Sequence, residues 1–162
     1  MKNQSIYHYL LLIPAILLPL FIGFIGSYFT ISQVTGWFVT LNKPWFSPPN
    51  WVFAPAWTIL YILMGLSWWF VLKSGFEKPS VRRATFWFLI QLAVNLLWSI
   101  VFFGMESPAG ALGVIFLLLF LILVNMHYFR FVSRCSVYLL IPYLCWTSFA
   151  TLLNAMIVIL NL

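Results

Sequence analysis

Five apolar stretches of about twenty residues each run through the chain, at 6–27, 52–72, 84–103, 110–129 and 136–160. A bilayer's hydrocarbon core is about 30 Å thick and takes about 20 apolar residues per helical crossing, so each stretch is long enough to cross once. Of the 162 residues, 64% are hydrophobic and 6% charged, which leaves too little polar surface to cover a water-soluble domain. A closed β-barrel also satisfies its backbone in lipid, but its strands alternate apolar and polar residues. Val114 to Val124 is apolar at every position. The expected fold class is therefore all-α: a polytopic membrane protein, a single domain over 1–162 built as a bundle of five transmembrane helices.

The few charges fall between the apolar stretches. Lys2 precedes the first; Lys73, Lys78, Arg82 and Arg83 separate the second and third; Arg130 and Arg134 separate the fourth and fifth. The other side carries Lys43 and Glu106. By the positive-inside rule the N-terminus is expected inside and the C-terminus outside. The first stretch, interrupted by Pro14 and Pro19, is read as a retained span rather than a cleaved signal.

Several chemistries are disfavoured. No Asp, Glu, Lys or Arg sits well inside a span and no internal repeat is visible, which argues against an ion- or proton-coupled transporter. The chain has no Asp, so a Ser-His-Asp triad cannot form, and Glu77 and Glu106 lie in separate loops. His8 and His127 are far apart, and no metal site is expected. Cys135 and Cys145 lack CxxC spacing and are expected as buried, inert thiols.

What remains is aromatic: nine Trp, seven Tyr and seventeen Phe. Trp37, Trp45, Trp51, Trp68, Trp69 and Trp87 fall in the first loop or near span ends, as interfacial belt residues do. Others recur at helical spacing. Gln91, Asn95, Trp98 and Phe102 share one face of the third span; Tyr143, Trp146, Ala150 and Leu153, with Asn154 beside them, share one of the fifth; Trp57, Tyr61 and Gly65 follow a line on the second. Two readings stand. The stripes either bond the helices to one another, at about 1 kcal/mol per polar pair, or line a cavity that opens toward the outer face. The long loop 28–51 lies on that side. Its Pro44, Pro48 and Pro49 stiffen it, so Lys43, Pro48, Pro49 and Trp51 are candidates for a lid.

The stretch KPWFSPPNWVFAPAWTILY (43–61) resembles the signature of the tryptophan-rich sensory protein and translocator protein family, also called the peripheral-type benzodiazepine receptor family. QLAVNLLWSIVFFG (91–104) and IPYLCWTSFATLLN (141–154) resemble its third and fifth helices, and Pro19 with Gly26-Ser27-Tyr28-Phe29 fits the end of its first. Order and spacing agree over essentially the whole chain. The resemblance implies a commonly dimeric five-helix bundle that binds porphyrins such as protoporphyrin IX, with no cofactor required. Family binding positions map onto Trp57, Asn95, Trp98, Trp146, Ala150 and Leu153. The animal members' sterol-recognition pattern is broken here by Ala155 and Ile159, and the uncharged C-terminus fits a bacterial-type member.

Three functions follow as expectations. The first is a sensor, sequestering protein or carrier that stacks a flat porphyrin-like ligand on aromatics and orients its polar edge through Asn95; Lys43 at the mouth either meets a ligand propionate or is simply solvated. The second, implied by the resemblance because some family members are associated with it, is light-dependent porphyrin breakdown with Trp57 and Trp146 taking part; the sequence itself supplies no ordinary acid, base or metal catalysis. The third is a structural or regulatory subunit, with Gly23 and Ser27, or Ala109 and Gly113, letting helices approach closely within a protomer or between two.

Overall fold

The structure is a computed structural model that describes residues 9–162; Lys2 and His8 lie outside the described residues. It contains α1 (Leu12–Thr35), a four-residue α2 (Trp37–Thr40), α3 (Asn50–Leu72), α4 (Pro79–Ser99) continued by a π-helical turn (Ile100–Gly104), α5 (Pro108–Arg130) and α6 (Arg134–Leu160), with no strand among the described residues. Five of these helices, counting α4 with its π turn as one, are long and apolar enough to cross a bilayer. Neighbours around the bundle run α1, α3, α6, α5, α4 and back to α1. The described basic residues other than Lys43 lie on or beside the α3–α4 and α5–α6 connections, so they share one end of the bundle. The α1–α3 connection is at the opposite, loop end.

Helix starts follow local chemistry. Pro79 and Pro108 stand in the first turns of α4 and α5, where a missing N–H costs nothing. The Ser107 side chain accepts from the Gly110 amide at 3.3 Å and caps α5.

The first helix runs eight residues past the apolar stretch that marks it in the sequence. Its polar residues bond within the helix: Ser27 Oγ donates to the Phe24 carbonyl at 2.7 Å, Thr30 Oγ1 to Gly26 at 3.0 Å and Thr35 Oγ1 to Ser32 at 3.4 Å. The expected loop 28–51 is thereby reduced to the segment 41–49, since α1 and α2 take up most of it.

The basic half of the bundle is filled. Met64, Val71, Val81, Phe88, Ile122, Phe129 and Leu140 have no exposed surface there. Trp68 belongs to this core and not to an interfacial belt: it stacks on Phe88 at 4.9 Å and donates from Nε1 to Thr85 Oγ1 at 3.1 Å. The two cysteines also depart from expectation. Cys135 and Cys145 are free thiols on the exterior of the bundle, because both occupy the outward rows of α6 while Ser136, Leu140, Tyr143 and Thr147 take the inward one.

Helix α1 meets α3 backbone to side-chain void at Gly65. A Cβ there would stand 2.7 Å from both the Ala15 carbonyl oxygen and the Ile16 Cα, which are main-chain atoms that cannot swing aside. Gly65→Ala is therefore expected to destabilise the protein by about 1–3 kcal/mol. Gly113→Ala adds a carbon with nothing within 4 Å and should be neutral or stabilising by up to about 1 kcal/mol. Unfolding titrations of both variants in detergent check the contrast.

Candidate functional site

Toward the loop end the bundle is hollow. A cavity of about 510 Å³ lies among α1, α2, α3, the α4–π segment and α6, with no α5 residue on its wall. One side is one face of α1, including Leu20, Gly23, Phe24, Ser27, Ile31 and Val34; the facing sides are Phe53, Trp57 and Tyr61 of α3, Trp98, Phe102 and Phe103 around the π turn, and Trp146, Ala150, Leu153 and Asn154 of α6.

Each aromatic wall has a local cause. On α4, Trp98 stacks on Phe102 at 5.2 Å with the rings 29° apart. The π turn, marked by the Met105 amide donating to the Ile100 carbonyl at 2.8 Å, widens the helix by one residue. Adjacent Phe102 and Phe103 are both buried there, 4.8 Å apart. On α3, Trp57 lies 5.6 Å from Tyr61, whose ring fills the space that the missing side chain of Gly23 leaves on α1. Gly23 thus serves a close contact within the protomer.

Seven of the nine expected ligand-binding residues border this cavity: Trp57, Tyr61, Trp98, Phe102, Trp146, Ala150 and Leu153. Asn95 and Tyr143 do not. They are buried one layer below, where the Tyr61 hydroxyl donates to Asn95 Oδ1 at 2.6 Å and Asn95 Nδ2 donates to the Tyr143 hydroxyl at 3.0 Å. Gln91 Nε2 donates to the same hydroxyl, also at 3.0 Å. These bonds tie α3, α4 and α6 together and hold the Tyr61 ring as the cavity floor. Asn95 consequently acts on the cavity through Tyr61 rather than by facing it.

Polar groups that do reach the cavity are mostly bonded to the protein already. Asn154 uses both ends of its amide, accepting from Trp98 Nε1 at 3.3 Å and donating to the Pro108 carbonyl at 2.8 Å. Thr30 and Thr58 donate to carbonyls of their own helices. Asn50 Nδ2 donates to the Val34 carbonyl at 3.3 Å and joins the ends of α1 and α3. A wall of this kind offers stacking area and shape, with few free donors.

The lid differs from the one expected. Phe38 of α2, only 3% exposed, roofs the cavity and packs edge-on or tilted against Phe53, Phe102 and Phe103 at 6.4, 6.1 and 5.8 Å; Trp37 packs on Phe102 at 5.8 Å. Of the expected lid residues, Pro48 borders a separate groove, Pro49 is the N-cap of α3, and Trp51 is 73% exposed. Lys43 is not on the cavity wall: its ammonium donates to the Phe38 and Leu41 carbonyls at 2.7 and 3.2 Å and lies 4.8 Å from the centre of the Phe38 ring. It therefore helps to hold the roof in place.

A clamp without any local sequence signal joins this roof to the far end of the chain. The Asn42 amide N–H donates to Asn161 Oδ1 at 3.0 Å, Asn161 Nδ2 returns a bond to the Asn42 carbonyl at 2.9 Å, and Asn42 Nδ2 donates to the Leu160 carbonyl at 3.3 Å. The exposed residues of the cavity wall, Phe24, Ile31, Asn50, Ala54 and Thr58, all belong to α1 and α3, so the mouth lies sideways between those two helices. The groove that takes Pro48 is on another side. It measures about 540 Å³, runs between α3 and α6, and includes Ala56, Ile59, Pro142, Cys145 and Phe149. Trp146 borders both spaces.

The sequence pattern of the TspO/MBR family matches residues 15–160. The chain belongs to the TspO/MBR family. It is 43% identical over 150 residues to the tryptophan-rich protein TspO of Archaeoglobus fulgidus, covering 93% of this chain and 96% of that one. The protein of the same name from Chlorobaculum tepidum is 46% identical over 145 residues, 89% and 91% of the two chains. The translocator protein of Bos taurus is 35% identical over 147 residues, 88% and 86%.

Because the Asn42–Asn161 clamp is exposed and local, losing it should loosen the roof while sparing the core. Asn161→Ala is expected to cost about 1–3 kcal/mol and to speed hydrogen exchange over residues 36–49. Exchange in the α3 and α4 residues of the filled half should stay as in the parent protein, as mass-spectrometric exchange can show.

Proposed function

We propose that this TspO/MBR-family membrane protein binds a porphyrin or similar tetrapyrrole in the cavity and acts as a sensor, sequestering protein or carrier for it. The observation that supports this most is the enclosure itself: about 510 Å³ bounded by Trp57, Trp98, Trp146, Phe102 and the Tyr61 floor, with most of its polar groups already bonded to the protein. That volume falls in the range of about 300–1,000 Å³ typical of small-molecule sites. A rigid, flat, apolar ring system stacks on such walls without leaving buried donors unmet. Entry between α1 and α3 suits a ligand that partitions into lipid.

The proposal extends to placement. Excess Lys and Arg at one end supports an orientation with the basic end in the cytoplasm and the N-terminus inside, in a bacterial-type cell membrane, with the chain as a homodimer as the family resemblance implies. A second reading, light-dependent breakdown of the bound ligand, draws support from Trp57 and Trp146 bordering the cavity with their oxidisable indoles. It requires ligand loss under illumination, none in the dark, and a slower loss in Trp146→Phe.

Tryptophan-emission titration with protoporphyrin IX in the dark tests the first reading. The parent protein should quench saturably. Ala150→Phe, which adds a ring inside the cavity, should weaken binding at least about tenfold, equivalent to about 1.4 kcal/mol. Ala56→Phe, in the outer groove, should leave it unchanged. Unsaturable quenching, equal in all three proteins, would mean that the porphyrin only partitions into the micelle.

A further inference from the structure

Below the cavity floor the polar side chains do not all find partners. Gln91 Oε1, both ends of the Asn125 amide and Thr147 Oγ1 are buried without a hydrogen-bond partner in the protein, on residues with no exposed surface. They come from three helices, and the fold brings those of α4 and α5 to one depth, while Thr147 of α6 lies further toward the loop end. The Trp87–Tyr128 and Phe88–Phe129 ring stacks, each 6.0 Å between centres, set the register of antiparallel α4 and α5. One turn further along each helix, on the same faces as Phe88 and Phe129, come Gln91 and Asn125. Gln91 Nε2 reaches across to the Tyr143 hydroxyl of α6, and Thr147 follows Tyr143 by one turn on the same buried face.

Leaving a buried amide or hydroxyl unbonded costs about 1–3 kcal/mol, and hydrocarbon outside the bundle supplies no substitute partner. The three orphaned atoms of Gln91 and Asn125, at one level on facing helices, therefore require a guest that both donates and accepts. No titratable carboxylate or amine is present among these residues to ask for an ion, and the groups are of mixed polarity. Water fits both requirements, as it commonly bridges two to four such groups in protein interiors.

We propose that Gln91 and Asn125 form a buried water site in the middle of the bundle, closed toward the basic end by Phe88, Phe129 and Leu140 and joined to the cavity floor through Tyr143, Asn95 and Tyr61. The site is a property of the bundle and stands whatever ligand the cavity takes. Its consequence for the fold is that α5, which contributes nothing to the cavity wall, is coupled to that wall by a continuous hydrogen-bonded path.

Water-to-amide cross-relaxation by NMR tests this on the intact protein in deuterated detergent, with the Asn and Gln side chains labelled with nitrogen-15. The Asn125 side-chain amide is expected to show cross-peaks to water despite its complete burial; their absence overturns the proposal. Asn125→Leu supplies an independent reading in thermal unfolding. In a hydrated site it displaces water that also serves Gln91, and the midpoint falls. In a dry site it replaces an unpartnered amide by an apolar group of similar size, and the midpoint rises, which also overturns the proposal.

Discussion

The bonds that the rest of this structure depends on are the three that run from Tyr61 through Asn95 to Tyr143 and back to Gln91. In hydrocarbon a polar side chain has to be met by another part of the protein, so these groups draw α3, α4 and α6 to fixed separations at one depth. Below that level large side chains close the interior: Met64, Phe88, Ile122, Phe129 and Leu140. Above it lies the cavity, and the floor formed by Tyr61 separates a packed half from a hollow one.

The hollow half keeps its shape because every wall is braced. Trp98 is held between Phe102 and Asn154, and Asn154 in turn is held by the Pro108 carbonyl. The roof is held by Lys43 on the carbonyls at the end of α2 and by the Asn42–Asn161 pair. Such bracing supports a cavity that exists before any ligand arrives, so little ordering free energy is lost on binding. The side between α1 and α3 is the least closed, although Gly65 against Ala15 and Asn50 against Val34 join those helices at either end of the gap.

Much of this could be seen in the sequence wherever a periodic pattern carried it. Five apolar stretches marked the spans, and the rows containing Trp98, Trp146, Ala150 and Leu153 identified wall residues, because a helix repeats its faces every three to four positions. Depth within a face is not periodic, and there the sequence reading differed from the structure: Asn95 and Tyr143 share rows with wall residues yet lie beneath Tyr61. Polarity was also a poor guide to where α1 stops, since Ser27, Thr30 and Thr35 bond to their own helix. Asn42 and Asn161 left no trace at all, for their partnership spans nearly the whole chain. Trp68 was misplaced for a similar reason: its partner Phe88 is on another helix.

The central claim is that a flat aromatic ligand belongs inside the bundle, above Tyr61 and between Trp57, Trp98 and Trp146. Determining the structure of the protein with protoporphyrin IX bound tests it most directly. The account predicts density for the macrocycle enclosed by α1, α3, the α4–π segment and α6, with the Tyr61–Asn95 bond intact beneath it. Density confined to the groove between α3 and α6, with the enclosed space occupied only by repacked side chains, would contradict it.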